Sequence, residues 1–158
     1  ILKDNSALNA AKYEELAKEF VYDFAKDGGA IGSISMKAVD PNGDLLPEGF
    51  VMTDAMLFVE TAVTSGGTPT ITFGNTFDTD GYFADVFALV GSANAIVRVG
   101  QVDGALMWDS TADAKKGYRI SSAANTQDLV MAIGTATLLT GKIRVIVKGY
   151  FPGTLQRA

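Results

Sequence analysis

Apolar residues alternate with polar ones in short runs from Gly32 to Phe151, and turns rich in Gly, Asp and Asn separate the runs. A period of two sends successive side chains to opposite faces, the pattern of a half-buried β-strand rather than a helix. In Gly32–Ala38, Ile34, Met36 and Ala38 alternate with Ser33, Ser35 and Lys37. Val51–Val63 places Val51, Thr53, Ala55, Leu57, Val59, Thr61 and Val63 on one side, in a strand long enough to bend midway. Thr70–Phe73 points Ile71 and Phe73 inward, and Ile143–Phe151 points Ile143, Val145 and Val147 inward with Arg144 and Lys148 outward. Val21–Ala25, Ala95–Val99, Ala105–Trp108, Gly117–Ser121 and Leu129–Ile133 complete the strands, while Tyr82–Val90 fits a strand or a helical turn equally.

The separators carry turn chemistry. Asp27-Gly28-Gly29, Asp40-Pro41-Asn42-Gly43-Asp44, Ser65-Gly66-Gly67 and Asp103-Gly104 are strong turn formers, the last within an expected hairpin. Seventeen glycines suit a chain that needs many positive-φ turns. About nine or ten short strands with regular turns predict an all-β sandwich or barrel. No βαβ period is present, which argues against a parallel doubly wound sheet.

The N-terminal stretch reads differently. In Ala7–Phe20, Tyr13, Leu16, Ala17 and Phe20 fall on one helical face, and Glu14 precedes Lys18 by one turn. A short helix or arm over residues 1–20, followed by a β-sandwich domain over 21–158, is therefore expected. A helix so short is marginal alone and must dock.

Composition narrows the chemistry. The 158 residues include no cysteine and no histidine. Disulfides, thiolate nucleophiles, imidazole bases and imidazole metal ligands are thereby excluded. Thirteen basic against eighteen acidic side chains give a net charge of −5, the wrong sign for a general nucleic-acid binder. No apolar run is long enough to span a membrane, and Ile1–Asn9 offers no basic segment ahead of an apolar one. No nucleic-acid or membrane partner is expected.

Four clusters invite a chemical reading. Asn75, Asp78, Asp80 and Asp85 could ligate Ca²⁺, but their spacing departs from the EF-hand loop and an Asp-Gly turn explains it. Gly28-Gly29-Ala30-Ile31-Gly32 lacks the G-x-G-x-x-G spacing and the following helix of a phosphate cradle. Tyr82, Trp108 and Tyr118, with Phe83, could form an aromatic platform for sugars, though such residues are more often core or interface anchors. Glu60, Asp103, Asp109 and Asp113 contain no distinctive acid pair. No enzyme activity, metal or cofactor is expected.

Tyr22-Asp23-Phe24-Ala25-Lys26-Asp27-Gly28-Gly29-Ala30-Ile31-Gly32 resembles a pattern of small tailed-phage structural proteins, as do Leu46–Ala55, Thr61–Gly67, Thr70–Gly74 and Thr140–Val145. The resemblance, to capsid decoration (cement) or head-fibre proteins, spans roughly Tyr22 to Tyr150. It implies a jelly-roll-like antiparallel β-sandwich that forms a homo-oligomer, a trimer before a dimer. It further implies binding to the major capsid protein on the capsid exterior of the virion. Met52, Met56 and Phe58, large apolar residues on a second strand face, are then candidate oligomer contacts, and Tyr13, Leu16 and Phe20 candidate attachment contacts. The alternative is a carbohydrate-binding or receptor-binding module of a phage fibre, using Tyr82, Trp108 and Tyr118.

Overall fold

The computed structural model describes residues 13–39, 43, 45–98, 101, 104–109, 114–115, 118–120 and 127–152. Three long strands form its framework. β1 (Tyr13–Asp23) lies antiparallel to β11 (Leu138–Pro152), and every residue of β1 has a partner, from Tyr13 opposite Pro152 to Asp23 opposite Lys142. On its other side β11 pairs with β4 (Val51–Ser65). The shorter β3 (Lys37–Ala38), β6 (Ile96–Arg98) and β9 (Tyr118–Arg119) complete a six-stranded sheet of order β3-β1-β11-β4-β6, with β9 also on β4. β2 (Gly32–Ser35), β10 (Val130–Gly134) and β5 (Thr70–Gly74) form a second sheet of order β2-β10-β5. β7 (Trp108–Asp109) and β8 (Ala114–Lys115) make a small ribbon. All these pairings are antiparallel.

The two main sheets enclose one core. Phe20 and Tyr22 of β1, Leu57 and Val59 of β4 and Val145 and Val147 of β11 meet Ile71 and Phe73 of β5 and Met131 and Ile133 of β10. Between the sheets, Phe73 and Phe83 pack edge to face with ring centroids 6.3 Å apart. The Gly32–Ala38 run joins the sheets: its first half pairs with β10, its second with β1, and buried Met36 marks the crossing. One alternating stretch thus serves both layers. The result is an all-β, jelly-roll-like antiparallel sandwich, as the sequence predicts.

Two expectations are corrected. Tyr13–Phe20 is strand, not helix; the remainder of the expected helix, before Tyr13, lies outside the described residues. The strand also runs unbroken through residue 20, where an arm was expected to end. Pairing with β11 along its whole length gives β1 partners on that edge, and the strand buries Phe20 and Tyr22 completely, which a lone short helix cannot do. Lys18 shares that inward face: its Nζ donates to the Leu45 carbonyl at 2.6 Å and lies 5.8 Å from the centre of the Phe20 ring.

The second correction concerns phase. β4 carries a bulge near its start: Asp54 faces Lys148 and Met52 faces Gly149, so Thr53 is left over. The inward set therefore gains Met52 beside Ala55, Leu57, Val59 and Val63, while Thr53 faces solvent; Thr61, beyond a second step in register, is exposed as well. The ambiguous Tyr82–Val90 segment is irregular, with a β-bridge at Phe83 and a single 3₁₀ turn at Phe87–Leu89. Among the described residues, no helix is long and apolar enough to cross a membrane.

Candidate functional site

The outer face of the six-stranded sheet is built by strand register. One cross-strand row runs Lys37, Val21, Arg144, Phe58, Ile96 across β3, β1, β11, β4 and β6. The adjacent row on the same face runs Glu19, Ile146, Met56, Arg98. Because side chains two apart on a strand share a face, Met56, Phe58, Ile146 and Ile96 form one apolar patch. The first three are half-buried, and Ile96 is 52% exposed.

Charges border this patch in a defined pattern. The Arg144 guanidinium donates to Glu19 on one side and to Glu60 on the other, so β11 is tied to both neighbours. The Lys142 Nζ lies 3.0 Å from the second Glu60 oxygen. The Arg144 hydrogen bond, then that of Lys142, holds the Glu60 carboxyl below its ordinary range. Beside this network a depression of about 260 Å³ is lined by Val21, Asp23, Lys26, Asp27, Lys37, Lys142 and Arg144. Asp23 and Asp27 are occupied there with the helical turn α1 (Phe24–Asp27): Asp23 accepts from the Ala25 amide, and Asp27 accepts from the Asp23 amide. Its lining carries both signs of charge, four basic side chains against two acidic, and among these lining residues no nucleophile stands beside a base.

A second feature projects from the other sheet. After β5 the chain turns at Asn75–Asp78, where the Asp78 amide donates to the Asn75 carbonyl at 3.2 Å and to its Oδ1 at 2.8 Å. Asn75 is fully buried, and its Nδ2 donates to the Tyr82 hydroxyl at 3.3 Å. Thr72 Oγ1 holds the Thr79 carbonyl at 2.8 Å, and Thr76 is bound through its amide and its hydroxyl to the Asp128 carboxylate. Gly74 is required here, because a β-carbon would fall 1.9 Å from the Asp78 carbonyl oxygen. At the tip, Phe77 is 75% exposed.

The sequence-derived candidates separate on this frame. Met56 and Phe58 come together on the outer face, as expected of a second strand face. Phe20 and Met52 do not join them: both are fully buried in the subunit's own core and are unavailable as contacts. For Met52 the cause is the Thr53 bulge, for Phe20 the strand pairing of β1. Tyr13 and Leu16 lie in β1, with their side chains outside the described residues.

Of the aromatic candidates, Tyr82 is withdrawn from the surface. Tyr82 is 1% exposed, and half-buried Tyr118 tilts against it with centroids 5.9 Å apart. Burial pushes the Tyr82 hydroxyl well above its ordinary pKa. Trp108 and Asp109 lie in β7 with side chains outside the described residues, as are Asp103 and Asp113 altogether.

In the acidic loop, Asn75 Oδ1 is engaged with the Asp78 amide, and Asp85 Oδ1 accepts from the Ile71 and Phe87 amides. Burial, followed by the hydrogen bond and charge of Asp80, raises the Asp78 carboxyl above its ordinary pKa. Among the described residues, no group of three or more acidic side chains is placed to hold a metal ion. Glu19, Ile96 and Phe77 escaped the sequence reading. Register alone reveals the first two, and an isolated Phe in a polar loop was the one available signal for the third.

No protein-family model matches the chain, and no curated protein matches it. Solved structures do. One similar chain belongs to the cyanophage Pam1 capsid asymmetric unit, with a TM-score of 0.58 and 14% identity over 89% of this chain and 87% of that one. Another belongs to the acidic stable capsid structure of Helicobacter pylori bacteriophage KHP30, with a TM-score of 0.52 and 15% identity over 88% and 89%. Identity this low carries the fold alone, but coverage is nearly complete in both directions. The chain therefore has the fold of chains found in two phage capsids.

Proposed function

We propose that this chain is a non-enzymatic virion structural protein, a decoration or cement protein bound to the major capsid protein on the exterior of a phage head. The observation that carries the reading is the shared fold, matched almost end to end with chains of two phage capsids. The surface is compatible with it. Ion pairs and loop hydrogen bonds occupy the acidic groups described above, and Tyr82, one of the aromatics proposed for sugar binding, is buried. A cementing role requires many modest symmetric contacts, which avidity multiplies.

The outer sheet face is the region through which copies associate in this reading, preferentially as a trimer. Its half-covered apolar patch is bordered by both signs of charge, the composition of an interface core with a polar rim. Each apolar side chain is already partly shielded, so its burial contributes less than the ~1.5–3 kcal/mol of a fully exposed one. The test is co-sedimentation of the purified chain with phage heads that lack it. Saturable binding that raises the temperature at which heads rupture supports the reading. No binding, or binding without any effect on rupture, contradicts it.

A further inference from the structure

The loop that carries Phe77 is more tightly constrained than a connection between strands requires. Buried Asn75 closes the turn, Thr72 clamps Thr79, and Asp128 grips Thr76 on either side of the exposed ring. The turn itself does not call for an aromatic: central positions of such turns accept most residues, and polar ones leave no ring in water. A large apolar side chain, 75% exposed on a preorganised loop, has the form of an interface anchor whose ordering cost is already met.

Its surroundings define the partner. From Gly74 to Asp85 the chain carries Asp78, Asp80 and Asp85 and no lysine or arginine. Asp128 adds a fourth carboxylate at Thr76. A complementary surface must offer an apolar socket with a basic rim. The loop follows β5 in the three-stranded sheet, whereas the patch around Phe58 lies on the outer side of the six-stranded sheet. The two surfaces can thus be engaged simultaneously by different partners.

We propose that Phe77 is the attachment knob of this protein, inserting into an apolar, basic-rimmed socket on a shell subunit while the outer sheet face holds copies together. This rests on the capsid reading above. The test compares the wild-type chain with Phe77→Ala, Phe77→Leu and Asp80→Lys for binding to phage heads that lack the chain, at low and high salt. Phe77→Ala should weaken binding roughly 30-fold, as for a 2 kcal/mol aromatic hot spot, with melting temperature and oligomeric state unchanged. Phe77→Leu should retain most of the affinity, Asp80→Lys should lose part of it, and wild-type binding should weaken with salt. Wild-type affinity in Phe77→Ala overturns the knob. A change of oligomeric state in Phe77→Ala also overturns it, because the socket then belongs to a second copy. Failure of the wild-type chain to bind heads overturns the capsid reading itself.

Discussion

Gly149 of β11 passes so close to Val51 of β4 that a β-carbon on the glycine would sit 1.9 Å from the Val51 carbonyl oxygen. The contact lies at the step in register that leaves Thr53 unpaired and turns Met52 into the core. The obstacle is backbone, which cannot rotate aside as a flexible side chain would. Gly149→Ala should therefore destabilise the fold by about 1–3 kcal/mol, as overpacking does. In calorimetry this corresponds to a melting point lower by roughly 3–10 °C for a chain of this size.

Asn75 is the buried keystone of the knob loop. Replacing it with alanine removes the donor to the buried Tyr82 hydroxyl and leaves the Asp78 amide only its longer bond to the residue-75 carbonyl. Unsatisfied buried groups cost about 1–3 kcal/mol apiece, so Asn75→Ala should destabilise by at least 1 kcal/mol. Amide hydrogen exchange should quicken around residues 75–81. Unchanged protection there would show that the loop is ordered by other means.

Glu60 supplies a pH signature. Its folded-state pKa is depressed below the ordinary 4.5, so its pairing adds stability that is present above that value and lost as pH falls through the lower folded value. Wild type should exceed Glu60→Gln in stability at neutral pH, and the gap should narrow and close as acid protonates the depressed Glu60 carboxylate. The difference will be small and reduced by salt, because these groups meet solvent. A gap that widens in acid would contradict the assignment.

Much of this fold is legible in the alternation. Ile143, Val145 and Val147 face in, with Arg144 and Lys148 outward, and Ile71 and Phe73 occupy the core as their spacing predicts. β1 is hidden in the sequence because Tyr13, Leu16, Ala17 and Phe20 also satisfy a helical period. Its true inward set includes Lys18, a residue that hydropathy counts as polar but that is only 7% exposed. The bulge at Thr53 was invisible in phase because β11, from a distant part of the chain, imposes it. The outer patch is likewise a product of register: Ile96 reaches Phe58 only because β6 pairs with β4.

Phe58 stands at the centre of that patch, between Arg144 and Ile96 in its row. Phe58→Glu should leave the sandwich folded, since the ring faces outward, but place a charge where copies are proposed to meet. Light scattering at micromolar concentration should report an oligomer, three copies preferred, for the wild type and monomers for the variant. An oligomer that survives the substitution would move the interface to another face.

The most direct test of the central claim is electron cryomicroscopy of phage heads saturated with the purified chain. Added density is expected on the outside of the shell, in symmetric clusters whose copies meet through the six-stranded sheets while the Asn75–Gly81 loops reach the shell. Density confined to the interior, or no ordered density on heads of the phage that encodes the chain, would contradict it.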